Sequence, residues 1–133
     1  MDFKLEVVPM PVADLDRAKH FYADQVGFAV DLDHRVDDKT RLIQLTPPGS
    51  GCSIFLGSGT DAEPGSIKRL QLVVDDVEAA RELLAGRGVD ISTIQHLEDG
   101  VWLEGKGGRW NSFAFFKDPD GNTWTLQERP TEG

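Results

Sequence analysis

The sequence predicts an α+β fold built from two tandem βαβββ modules, and three observations lead to it. A capped helix start occurs twice, as Val12-Ala-Asp-Leu-Asp-Arg-Ala18 and as Val74-Asp-Asp-Val-Glu-Ala-Ala80. A turn-then-strand segment also occurs twice, since Gly51-Cys-Ser-Ile-Phe-Leu56 aligns with Gly121-Asn-Thr-Trp-Thr-Leu126. Each helical pattern stops on glycine, at Gly27 and again at Gly86 and Gly88, and strand-like segments follow. Self-similarity on this scale is the mark of a repeated supersecondary unit. The modules span about 3–57 and 67–129, joined by a Gly/Pro-rich linker at 58–66. At 133 residues they are expected to make one domain.

Each element has a local cause. Residues 3–12 read as a strand that ends around Pro11, because proline suits strand ends and edges. Asp14 is a helix N-cap and Asp16 favours the positive end of the helix. Leu15, Ala18, Tyr22 and Val26 then recur at helical spacing. Strands are expected near 28–36 and 40–46 around an Asp37-Asp38-Lys39 turn, and a fourth at about 52–57. The second module repeats the plan with a strand from Ile67 to Val74 and a helix capped by Asp76. The apolar stripe of that helix is Val77, Ala80, Leu83 and Leu84. Strands at about 89–96, 111–117 and 122–128 complete it, and Asp118-Pro119-Asp120-Gly121-Asn122 is turn chemistry. The insertion at 97–110 absorbs the difference in length between the modules.

Composition narrows the partners. A net charge of −9 argues against nucleic acid and anionic membranes. No apolar run reaches transmembrane length, and Met1-Asp2-Phe3-Lys4 lacks the design of a signal peptide. The single cysteine, Cys52, excludes an internal disulfide and reads as a small strand residue in a reducing, cytoplasmic setting.

A sheet with one helix has one covered face and one bare face, and pairing two such modules can place the bare faces around a cleft. Strand alternation then selects the side chains that point in. The inward set is Val7, Pro9, Phe55, Arg69, Gln71, Thr125 and Gln127. This is an apolar base with a few hydrogen-bonding groups and one guanidinium, which suits a drug-sized organic molecule. Trp102 and Trp110 lie in the glycine-rich insertion, and two readings of them stand: a lid that stacks on a flat ligand, or packing on a sheet rim or dimer contact. Trp124, by parity, belongs to the core.

The segments Pro11–Tyr22, Val74–Ala80 and Phe116-Lys-Asp-Pro-Asp-Gly-Asn-Thr-Trp-Thr-Leu126 resemble the vicinal oxygen chelate superfamily. That superfamily includes glyoxalase I, extradiol dioxygenases and bleomycin-resistance proteins. The resemblance covers nearly the whole chain and implies a cup-shaped, barrel-like mixed sheet, the glyoxalase/bleomycin-resistance fold. It also implies a homodimer, in some relatives with exchanged modules. Metal-dependent members place His or Glu/Gln near the middle of each module's first strand and on its last strand. Here those positions hold Val7, Phe55, Arg69 and Thr125. Arg69 is a fixed cation, and Thr125 stands where a glutamate would be expected. No metal and no cofactor are therefore expected. His20, His34 and His96 read as solvated, although a loop metal site at His96, Glu98 and Glu104 is conceivable. The Asp118/Asp120 pair reads as turn capping rather than a carboxylate dyad.

The function this suggests is a metal-free protein that sequesters an aromatic or polycyclic natural product, as in antibiotic resistance, with no catalytic residue. Two alternatives are carried. One is a metal-independent isomerase, cyclase or lyase using Arg69 for an oxyanion and Glu104 or Glu128 as base. The other is a metal-dependent glyoxalase- or dioxygenase-type enzyme with ligands at unusual positions.

Overall fold

Tyr22, Trp124 and the aliphatic faces of two sheets set the architecture. The computed structural model describes residues 1–57 and 62–131. It divides into two compact units, Met1–Ile67 with Asp118–Asn122, and Lys68–Lys117 with the segment that starts at Thr123. Positions 58–61 of the expected linker lie outside the described residues.

The first unit carries β1 (Val7–Pro9), β2 (Ala29–Arg35), β3 (Arg41–Thr46) and β4 (Ser53–Gly57), in the order β1-β4-β3-β2. β1 runs parallel to β4 and the other pairs are antiparallel. Helix α1 (Leu15–Lys19) starts on Asp14, whose carboxylate accepts from the Arg17 N–H at 3.1 Å. It continues as a wider π-helical segment, His20–Val26, and stops on Gly27 at φ 93°. Glycine is needed there because a Cβ disfavours the left-handed region. Ala18, Tyr22 and Val26 are buried together with Ile43, Leu45, Ile54 and Leu56. Period-3.6 and period-2 patterns thus meet in one core. The strand expected over 3–12 is only three residues long. β4 is its partner, Pro9 has no N–H to give, and pairing ends with Ser53 N–H to Glu6 O and Met10 N–H to Phe55 O.

The turn 118–122 belongs to this unit through long-range bonds. Asp118 is buried and accepts from the Tyr22 hydroxyl at 2.7 Å, from Asn122 Nδ2 at 2.7 Å and from the Asp120 and Asn122 backbone N–H groups. Asn122 also donates to Pro11 O and accepts from the Ile67 N–H. Asp120 accepts from the Ala13 N–H and Arg17. Both aspartates therefore cap and anchor, as the turn reading expected. Gly65, at φ 83°, lets the chain pass so close to this turn that a Cβ would sit 2.1 Å from Asp120 O.

The second unit carries β5 (Leu70–Val74), α2 (Val77–Gly86), β6 (Gln95–Glu98), β7 (Val101–Glu104), β8 (Phe113–Lys117) and β9 (Thr123–Glu128), in the order β5-β9-β8-β6-β7. β5 is parallel to β9, as β1 is to β4. Asp76 caps α2 by accepting from the Ala79 N–H at 3.0 Å. Val77 and Leu84 are buried against the sheet, as are Leu126 and Trp124, whose indole stacks on Phe116 at 6.0 Å. Leu83 departs from the expected stripe and is exposed. Six residues beyond Val77, it lies over a hundred degrees or so around the helix.

Three other expectations change. The insertion at 97–110 is largely a regular hairpin, β6 and β7, rather than a loop. The strand from Ile67 begins only at Leu70, because Arg69 takes a left-handed φ of 61°. The strand expected at 89–96 is reduced to the Ile91–Phe116 bridge before β6 starts at Gln95. No helix among the described residues is long and apolar enough to cross a membrane.

Candidate ligand site

In the second unit the face away from α2 can be read off the ladder, since residues directly opposite each other point the same way. Gln71 pairs with Thr125 and Val73 with Gln127 across β5 and β9. Phe115 pairs with Thr125 and Phe113 with Gln127 across β9 and β8. Gln71 donates to Gln127 through its side chain, and Gln127 donates in turn to the Trp110 carbonyl at 2.8 Å. Trp102, on β7, packs edge-on against Phe113 (5.3 Å) and Phe115 (5.1 Å), and those two rings are stacked. The edge-to-face geometry sets the positive ring edge against the negative ring face.

Beside this cluster lies an open hollow of about 430 Å³, lined by Arg69, Asp90, Ser92, Phe115, Lys117, Thr123 and Thr125 among others. That volume is within the range of sites for drug-sized ligands. Thr123 organises one end. Its hydroxyl accepts from the Arg69 N–H at 2.7 Å, and its partner across the ladder is Lys117. Ser92 fixes the other wall by exchanging two hydrogen bonds with Phe115, its Oγ accepting from Phe115 N–H and its own N–H donating to Phe115 O, each 2.9 Å. Arg81 on α2 holds the Ser92 carbonyl at 2.8 Å.

Of the residues selected from the sequence, Arg69 and Thr125 line this hollow. Gln71, Gln127, Trp102 and Trp110 lie on the same face or bond to it. Val7, Pro9 and Phe55 belong to the first unit, where β1 pairs with β4 and Pro9 lies opposite Phe55. Val7 and Pro9 are exposed, and the Phe55 ring lies over Gly57, within 2.5 Å of where a Cβ would be. Gly57 is the residue that leaves room for it. Asp90, Ser92, Phe113, Phe115 and Lys117 were missed. For the phenylalanines and Lys117 a signal existed: counting back across the 118–122 turn from Thr125 reaches Phe115. The two carboxylates considered as bases lie elsewhere. Glu104 accepts from Thr93 Oγ1, while Glu128 accepts from the Val77 N–H and pairs with Lys106.

Residues 4–126 match the sequence profile of the Glyoxalase/Bleomycin resistance protein/Dioxygenase superfamily. The chain belongs to this superfamily. Among solved structures, the chain is similar to TnmS3, an antibiotic binding protein from Streptomyces sp. CB03234. Identity is 31%, with 97% of this chain and 98% of that one covered and a TM-score of 0.78. A glyoxalase/bleomycin resistance protein from the same Streptomyces strain shares 32% identity over 93% of this chain and 99% of its own, with a TM-score of 0.74. An uncharacterised protein of Bacillus subtilis (strain 168), YetH, is 24% identical over 127 residues, covering 94% of this chain and 98% of YetH.

The metal that some superfamily members hold finds no matching donors here. At the ligand positions the first unit offers hydrocarbon from Val7 and Phe55. The second offers the Arg69 guanidinium, which cannot ligate, and the Thr125 hydroxyl, a weak donor. Elsewhere, His20 Nδ1 sits 2.8 Å from Asp24, and His96 lies between the Gly105 carbonyl and Glu98. No group of three or more His, Cys, Asp or Glu side chains among the described residues is placed to hold an ion.

Proposed function

We propose that this superfamily member binds an aromatic or polycyclic small molecule and sequesters it unchanged, without a metal. The observation that carries the reading is the aromatic wall of Trp102, Phe113 and Phe115 on a sheet face that α2 does not cover, beside a hollow of about 430 Å³. Flat π-surface of this kind contributes affinity without requiring a reactive group. The similarity to TnmS3, an antibiotic binding protein, supports the same direction, and antibiotic resistance is the role proposed with it. Arg69, Gln71, Thr125 and Gln127 would orient the ligand. Val7, Pro9 and Phe55 are kept as apolar ligand contacts on the first unit's own exposed face. A homodimer in the cytoplasm is part of the same proposal.

One observation favours a second reading, a metal-independent isomerase, cyclase or lyase. Asp90 places a carboxylate in the same hollow as Arg69, the minimum for a base beside an oxyanion-stabilising cation. The test is a tryptophan-fluorescence titration of metal-stripped protein against a panel of aromatic natural products, with each bound compound recovered for mass spectrometry. Sequestration predicts saturable quenching and an unaltered compound. A changed compound selects the enzyme reading, and binding that needs added metal overturns the metal-free one.

A further inference from the structure

We infer that the hollow on the second unit recognises an acidic oxygen group on its ligand. A carboxylate, sulfonate or ionised phenol would be held between Arg69 and Lys117 while the attached ring lies along Phe115. The inference rests on the hollow being the ligand site, as proposed above, and it names the chemistry that site selects.

The charge pattern supplies the first reason. The chain as a whole is at −9, yet the hollow is lined by two cations and one carboxylate, Arg69, Lys117 and Asp90. Several cations elsewhere are held by carboxylates: Arg17 by Asp120, Lys19 and Arg41 by Asp33, Lys106 by Glu128 and Arg129 by Asp75. Among the described residues, the side chains of Arg69, Lys117 and Asp90 make no ion pair, with each other or with any neighbour. Two exposed cations outside any ion pair, beside one aromatic wall, are a complementary surface for an anion.

Backbone geometry supplies the second reason. Among the described residues, Arg69 is one of three non-glycine residues with positive φ, at 61°, a conformation uncommon for a side chain of its size. It is held there by the bond from its N–H to Thr123 Oγ1, and Thr123 is also the ladder partner of Lys117. Both cations are thus placed on either side of one residue at the mouth of the hollow. Such held strain points to a positioning role. Two pairs further along the same strands, and so on the same face, Thr125 faces Phe115, and the apolar wall begins beside the cationic end.

The test uses two fluorescent probes of one shape, 1-anilinonaphthalene-8-sulfonate and its neutral parent N-phenyl-1-naphthylamine. The wild-type protein is expected to bind the sulfonate more tightly, with added salt weakening the sulfonate alone. Arg69→Gln and Lys117→Gln are each expected to lower sulfonate affinity about tenfold or more, the scale of one charged hydrogen bond, and to leave the neutral probe unchanged. Asp90→Asn is expected to raise sulfonate affinity. Equal binding of both probes, insensitive to both cation variants, overturns the inference and leaves the sequestration reading standing. Failure of both probes to bind overturns the ligand site itself.

Discussion

Tyr22 is the chain's one tyrosine, and its hydroxyl is buried 2.7 Å from an Asp118 carboxylate that is itself buried. Four donors converge on that carboxylate: the phenol, the Asn122 amide and two backbone N–H groups. Burying a carboxylate is tolerable only while its lone pairs are satisfied. Tyr22→Phe keeps the ring and its stack on Phe28 but withdraws one donor. The expected cost is about 1–3 kcal/mol, the usual penalty for a buried acceptor left short of a partner. Urea denaturation of the two proteins measures it. An unchanged midpoint would mean that the remaining three donors already satisfy Asp118.

Strands β2 and β3 are also tied to α1 by ions. Arg41 donates to both oxygens of Asp33 at 2.9 Å and to Asp16 at 2.6 Å, and Lys19 reaches Asp33 at 2.6 Å. The Arg41 guanidinium, and after it the Lys19 ammonium, holds the Asp33 carboxyl well below the usual carboxylate range; Arg41 lowers Asp16 too. A carboxylate depressed in the folded state stabilises it fully above the unfolded pKa of about 4. That contribution is lost as pH falls through the folded values. The melting temperature should therefore hold above about pH 5 and decline below about pH 4. Arg41→Gln should lower it at neutral pH, and the gap to wild type should close as acid is added. These groups face solvent, so salt should shrink the gap as well. A gap that stays constant from neutral to acid pH would show that Arg41 acts by packing alone.

At this scale the caps and the glycine stops were legible, because each has a local chemical cause. The β6–β7 hairpin was also written in the sequence. Asp99-Gly100 is a two-residue hairpin signal, and both residues adopt positive φ, 52° and 79°. The left-handed Arg69 was not legible. Nothing beside it in the chain asks for that conformation, which comes from a bond to Thr123, more than fifty positions away. In the candidate site, alternation reached Arg69, Thr125 and the two glutamines, whereas Asp90 and Ser92 sit on a segment that meets β8 through an isolated bridge and not as a regular strand.

On the scale of the whole molecule, both units leave apolar side chains exposed. Leu32 is 44% exposed, Val73 51%, Val101 56% and Trp110 49%. Scattered exposed apolar residues are normal, but Val73 shares its sheet face with Trp102, itself 39% exposed, and such a face is a surface that a partner can cover. In the proposed homodimer a second copy covers part of it. Charge opposes this, because each chain brings −9 and like-charged partners repel. Apolar burial is insensitive to such screening, while the repulsion falls with ionic strength. The dimer should therefore tighten as salt is added, the reverse of the behaviour expected for the sulfonate probe in the hollow. Light scattering across a dilution series should report twice the 14.7 kDa chain mass, with dissociation first appearing at low salt. A chain that stays monomeric at tens of micromolar in physiological salt would remove the second copy. The exposed sheet faces would then be left to the small-molecule ligand alone.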